Sequence, residues 1–194
     1  NGKAVLFYGV PCQIAGLRNY LNKDYDRLYC VDIICHGVPS RKLFANYLSW
    51  LGDKYNGKVI KYEFRSKHKH QWSLTLNAEI EKHNGKIITV EKMASLDPYY
   101  FNFLAGTTYR ESCYSCPYSQ KHRTGDITIG DFWGVEKQYP ELFDLDGVSC
   151  ALINTPKGER LWNDSAHLFS MSRVSTDSII NNNGNLRAPT KRPA

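Results

Sequence analysis

Cys113 and Cys116 frame the one Cys-x-x-Cys pair of the chain, inside YRESCYSCPYSQKHRTGDITIGDFWG at residues 109–134. Two thiols at this spacing sit on one tight turn, which points both sulfurs the same way and suits a shared metal centre. Arg110 precedes the pair, and Lys121, His122 and Arg123 follow it. Positive neighbours favour thiolates over thiols. Two thiolates do not fill a tetrahedral site, so two further ligands must come from elsewhere. Beyond the pair, residues 126–129 form a short strand-like run that ends in Gly130-Asp131-Phe132-Trp133-Gly134.

Cys12 and Cys35 supply the missing two. Each follows an apolar run and stands among Pro and Gly, where a side chain leaves the core. Cys30, in LYCVDII, and Cys150, in VSCALI, fall mid-strand and read as small core hydrophobes. The set of four is therefore Cys12, Cys35, Cys113 and Cys116. Four thiolates suit a structural zinc ion or an iron–sulfur cubane, and spacing leaves both open.

The elements that must position these thiols are legible in the hydrophobic periods. Residues 3–9 (KAVLFYG) form a nearly continuous apolar run, as in a strand covered on both faces. Val10-Pro11-Cys12 breaks it as a loop, and Ile14, Leu17 and Leu21 then repeat with a helical period. Residues 27–34 repeat the pattern as a second strand, and a loop at 35–40 follows. A helix from Arg41 to about Tyr55 starts at Ser40, a good N-cap, with Leu43, Phe44, Tyr47, Leu48 and Leu51 on its apolar face. Two successive strand–helix units predict parallel strands. Cys12 and Cys35 then sit in equivalent places past the carboxyl ends of strands about 4.8 Å apart, at the edge where open α/β sheets bind ligands.

The middle of the chain changes period. Residues 58–65 and 73–82 alternate apolar and polar residues, and Asn84-Gly85 is a hairpin turn signal. A basic loop, Ser66 to Trp72, carries Lys67, His68, Lys69 and His70. Residues 98–104 (PYYFNFL) read as a short aromatic helix. Later elements are a strand at 148–154, a helix at 158–166, an edge strand at 169–174 and a helix at 176–182. The basic, proline-containing tail, 187–194, is expected to be loosely held. The fold class is α/β, with parallel strand–helix units at the amino-terminal end and a mixed sheet with an antiparallel hairpin section in the middle.

Composition bounds the function. The chain has 194 residues, 42% hydrophobic and 13% aromatic, enough for a packed core without disulfides. Six cysteines spaced as ligands and core residues point to a reducing, cytoplasmic setting. No apolar run approaches the roughly 20 residues of a membrane span. The net charge of +6 fits an anionic cofactor. It is not by itself a nucleic-acid signature, and no nucleic-acid partner is expected, although the basic loop and tail leave a polyanion-binding domain as a third reading. No Ser-His-Asp or paired-carboxylate pattern demands acid–base or nucleophilic catalysis.

GVPCQIAGLRNYL, VDIICHGVPSRKLFANYL, YRESCYSCPYS and GDITIGDFWG, with FRSK at 64–67, GVSCALINTPKGE at 147–159 and PTKRP at 189–193, resemble the coenzyme F420 hydrogenase/dehydrogenase beta-subunit family in its carboxyl-terminal domain. The resemblance spans nearly the whole chain, 1–194, as a single domain. It implies an iron–sulfur flavoprotein that passes electrons between a [4Fe-4S] cluster and FAD, with hydride exchanged with a small-molecule acceptor such as F420. Its cluster cysteines fall by motif on Cys12, Cys35, Cys113 and Cys116. It also implies flavin contacts at Gly130, Asp131 and Gly134, through backbone N–H groups beside one carboxylate. Trp133 would stack on the ring, and Arg65 and Lys67 would pair with the pyrophosphate. His36, beside Cys35, has two readings: a packed imidazole, as such a histidine more often is, or a donor to a cluster sulfide. Fuller members carry an amino-terminal ferredoxin-like segment, so the chain is expected to be a piece of a longer one that works with such a domain or a partner subunit.

Overall fold

The computed structural model describes residues 2–68 and 71–193. The expectations for Lys69 and His70 lie outside the described residues. In chain order the elements begin with β1 (Val5–Gly9), α1 (Pro11–Leu21), β2 (Leu28–Ile33) and α2 (Arg41–Lys54). The antiparallel section follows as β3 (Gly57–Glu63), β4 (Thr75–Lys82) and β5 (Ile87–Met93), then α3 (Pro98–Leu104). The chain ends with β6 (Ile127–Asp131), α4 (Val135–Gln138), β7 (Ser149–Ile153), α5 (Pro156–Ser165) and α6 (Thr176–Asn182).

These elements divide between two compact units. One comprises Asn1–His36 and Ser115–Thr190, the other Gly37–Tyr114 and Lys191–Ala194.

The first unit holds a four-stranded sheet in the order β1-β2-β6-β7. β1, β2 and β6 are parallel, with Gly9 opposite Asp32 and Ile33 opposite Ile129. β7 is antiparallel to β6, with Gly130 opposite Cys150. The sheet is therefore mixed within this unit, and the class is α/β as the periods predicted. Phe132, Val135, Cys150, Ile179, Ile180 and Leu186 form its buried core.

The second unit holds the antiparallel sheet β3-β4-β5, separate from the first. Gly85, at φ 77°, turns β4 into β5, the conformation that the Asn-Gly signal demands. Tyr47 and Leu51 of α2 pack with Leu76, Ala78 and Ile80 of β4 and with Tyr99 and Tyr100 of α3. α3 starts where Asp97 accepts from the Tyr100 N–H, the usual pattern of an Asp N-cap before Pro at N1.

Four local expectations are corrected. The apolar run at 3–9 is not covered on both faces: β1 is an edge strand, and Val5, Leu6 and Tyr8 are 53%, 62% and 59% exposed. Cys12 is not in a loop. Pro11 takes the first helical position and the Gln13 Oε1 accepts from the Val10 N–H at 3.1 Å, so α1 begins one residue before Cys12. Residues 169–174 form no strand, having no ladder partner among the described residues. Leu43, expected on the apolar face of α2, is exposed; Ser40 stands at the N-cap as expected, though without a side-chain hydrogen bond.

Candidate functional site

All six cysteines are free, and their environments separate four from two. Cys30 and Cys150 are buried in β2 and β7, and burial pushes both thiols up, Cys150 to about 11. A group held that far above neutral pH stays a thiol and makes a poor ligand. Cys12 is exposed, and Cys35, Cys113 and Cys116 are partly so.

Three of the four lie in the first unit. Cys12 is the second residue of α1. Cys35 follows Ile34, whose N–H extends the ladder by donating to the Ile129 carbonyl at 2.9 Å. Cys116 begins a turn in which its carbonyl accepts from the Ser119 N–H at 3.4 Å. The parallel register of β1 and β2 sets Cys12 three residues beyond Gly9 and Cys35 three beyond its partner Asp32. The equivalence expected of these two positions holds in the register.

Cys113 belongs to the second unit, at the end of a 3-10 turn, Glu111–Cys113, where its N–H donates to the Arg110 carbonyl at 2.8 Å. The Arg110 N–H in turn donates to the Val38 carbonyl, and Pro39 bridges Tyr109. Tyr114 braces the same turn by donating its phenol proton to the Gly106 carbonyl at 2.7 Å. Arg192, from the basic tail, ion-pairs with Glu111 and lies over the Tyr114 ring. In the first unit Thr190 donates to the His36 carbonyl at 2.9 Å. The tail, expected as a loose end, makes these contacts at Thr190 and Arg192.

Four thiols are the donor chemistry of a cubane cluster or a zinc ion. Among the described residues, no set of three or more His, Cys, Asp and Glu side chains is arranged to hold a metal ion.

The residues singled out for a flavin fall in both units. Gly130 and Asp131 close β6, opposite Cys150 and Ser149. Gly130 has a packing reason to lack a side chain: a Cβ there would lie 2.7 Å from Ile34 Cδ1. The Asp131 carbonyl accepts from Cys150 Sγ at 3.5 Å and from Asn183 Nδ2 at 3.3 Å. Trp133 is 37% exposed, and Gly134, at φ 81°, caps α4 in the left-handed region. Burial holds His36 below the usual imidazole range, against the opposing charge of Asp131. In the second unit Arg65 has φ 55° and its guanidinium lies over Trp72, while Lys67 is exposed.

A polar network that sequence reasoning missed joins the backbone segments that carry the first-unit thiols. Arg123, read from sequence as one of the positive neighbours of the Cys pair, is only 8% exposed and ion-pairs with fully buried Asp32 at 3.2 Å. Asp32 also accepts from Thr128 Oγ1 at 2.6 Å, Thr124 Oγ1 at 2.9 Å and the Gly125 N–H at 2.9 Å. The available signal was Asp32 itself, a carboxylate inside the apolar run LYCVDII, which burial obliges to find a partner.

No helix is long and apolar enough to cross a membrane among the described residues. No curated protein and no solved structure matches the chain. The family model for the carboxyl-terminal part of the coenzyme F420 hydrogenase/dehydrogenase beta subunit matches residues 2–175, and the chain belongs to that family.

Proposed function

We propose that this chain is the cofactor-bearing part of an oxidoreductase subunit, in which Cys12, Cys35, Cys113 and Cys116 hold a [4Fe-4S] cluster close to a bound FAD. The family match implies the oxidoreductase role. The observation that carries the choice of ligands is the division of the six free thiols into four accessible and two buried. Bound together, a flavin and a cluster supply hydride exchange on one side and one-electron relay on the other; the protein supplies binding and orientation.

On this reading Trp133 offers a ring face to the flavin, Asp131 a carboxylate for hydroxyl groups, and Gly130 and Gly134 close backbone approach. Arg65 and Lys67 are the cations suited to a pyrophosphate. The hydride acceptor is a small molecule such as F420. Electrons pass to or from a ferredoxin-like domain or a partner subunit, in the reducing setting of the cytoplasm that accessible thiols need.

The test is iron and sulfide per chain after anaerobic reconstitution of six single Cys→Ala variants. Loss of iron with Cys12, Cys35, Cys113 or Cys116 replaced, and retention with Cys30 or Cys150 replaced, is the expected pattern. Colourless wild-type protein that retains zinc and takes up no iron would replace this reading with a structural zinc domain.

A further inference from the structure

We propose that Asp32, Arg123 and Thr124 are positioning residues for the thiols: one buried polar knot ties together the three backbone segments that carry Cys12, Cys35 and Cys116. The inference rests on reading those cysteines as ligands.

Arg123 is the centre of the knot. A guanidinium has five N–H donors in a fixed fork, and here five acceptors meet them. Nη1 donates to the Tyr118 carbonyl at 2.9 Å and the Gln120 carbonyl at 3.3 Å. Both belong to the turn that leaves Cys116. Nη2 donates to Asp32 Oδ1 at 3.2 Å and to the Ile33 carbonyl at 3.1 Å, two residues before Cys35. Nε donates to Thr128 Oγ1 at 3.2 Å, on β6.

Thr124 adds the third segment. Its hydroxyl lies 3.1 Å from the Pro11 carbonyl, the residue before Cys12, and 2.9 Å from Asp32 Oδ2. The single proton is shared between these two acceptors. The carboxylate of Asp32 is thereby surrounded by four donors and fully desolvated. A buried network of this kind tolerates few alternative arrangements, because any slip strands a charge without a partner. Apolar packing alone would let short turns slide. The knot instead fixes their carbonyls at stated atoms, while none of its three side chains is itself a thiol ligand.

The test is amide hydrogen exchange of the full chain without metal, read with iron uptake on reconstitution. In Arg123→Lys the charge stays and the fork is lost. Exchange in segments 10–13, 33–36 and 116–122 should rise severalfold, the β6–β7 ladder should keep its protection, and iron per chain should fall. In Thr124→Val only segment 10–13 should loosen. Unchanged exchange in these segments in a folded Arg123→Lys chain would overturn the proposal. So would loosening spread evenly over β6 and β7, which marks an ordinary core residue. Should Arg123→Lys fail to fold, Thr124→Val decides, and unchanged exchange at 10–13 overturns the proposal. Local loosening combined with a wild-type chain that takes up no iron would overturn the ligand reading, and with it the positioning role, leaving the knot as a fold element.

Discussion

Cys30 and Asp126 are joined by two hydrogen bonds, and neither uses the thiol. The Cys30 N–H donates to Asp126 Oδ2 at 2.8 Å, and the Asp126 N–H donates to the Cys30 carbonyl at 2.6 Å. Cys30→Ala keeps both bonds and loses the packing of one sulfur together with its interaction with the Arg18 side chain. The expected cost is about 1 kcal/mol in urea denaturation, with iron uptake unchanged. A loss of iron in this variant would mean that the buried thiol is a ligand.

Asp126 is the more sensitive partner of that pair. Its carboxylate is buried and also accepts from Arg18 Nη2 at 3.2 Å and from Thr155 Oγ1 at 2.8 Å. Asp126→Ala removes the acceptor of three donors at once, one of them charged. The expected loss is about 2 kcal/mol: the Cys30 N–H and the Thr155 hydroxyl lose a buried acceptor, while the Arg18 guanidinium, 37% exposed, is solvated by water. A denaturation midpoint equal to that of Cys30→Ala would contradict it.

Thiol chemistry should sort the six cysteines in the cofactor-free native chain. Burial raises Cys150 to about 11 and raises Cys30 as well, so both remain protonated thiols near neutral pH. Iodoacetamide at neutral pH should modify Cys12, Cys35, Cys113 and Cys116, and should reach Cys30 and Cys150 only in denaturant. Peptide mass spectrometry reads this directly; early labelling of Cys150 would sink the division on which the ligand assignment stands.

Sequence periods carried the strands and helices because their cause is local. The alternation in β4, the Asn84-Gly85 turn and the spacing of Tyr47 and Leu51 on α2 each reflect a face that must be buried. The parts that stayed hidden depend on partners far along the chain. Arg123 and Asp32 are 91 residues apart, and Arg123 in its local context, KHRTG, reads as a solvated cation. The run at 169–174 has strand-like composition, yet a strand exists only where another offers its ladder. β1 has the composition of a covered strand and lies at a sheet edge, a fact about neighbours rather than about its own residues. The four candidate thiols were legible as a chemical class. The accessibility of Cys12 and Cys35 followed from the strand ends that precede them, whereas the knot that ties the segments of Cys12, Cys35 and Cys116 did not.

The tyrosines of the second unit predict an alkaline limit to its stability. Burial, then the hydrogen bond to Asp97, raises the Tyr47 phenol well above its ordinary value of 10.0. Burial, with the charge of Asp97, raises Tyr62 too, and burial raises Tyr99. A raised folded-state value means that the unfolded chain gives up these protons first. The stabilisation is therefore fully present below about pH 10 and is lost as the pH rises beyond it. Tyr47→Phe removes the largest of these contributions, so its stability should fall less steeply above pH 10 than that of the wild type. At pH 7 the same variant should be less stable by about 1–2 kcal/mol, because Asp97 loses the phenol donor and is left with the Tyr100 N–H. Denaturant midpoints of both chains between neutral and strongly alkaline pH give the comparison. Parallel curves would show that ionisation of Tyr47 plays no part in alkaline unfolding.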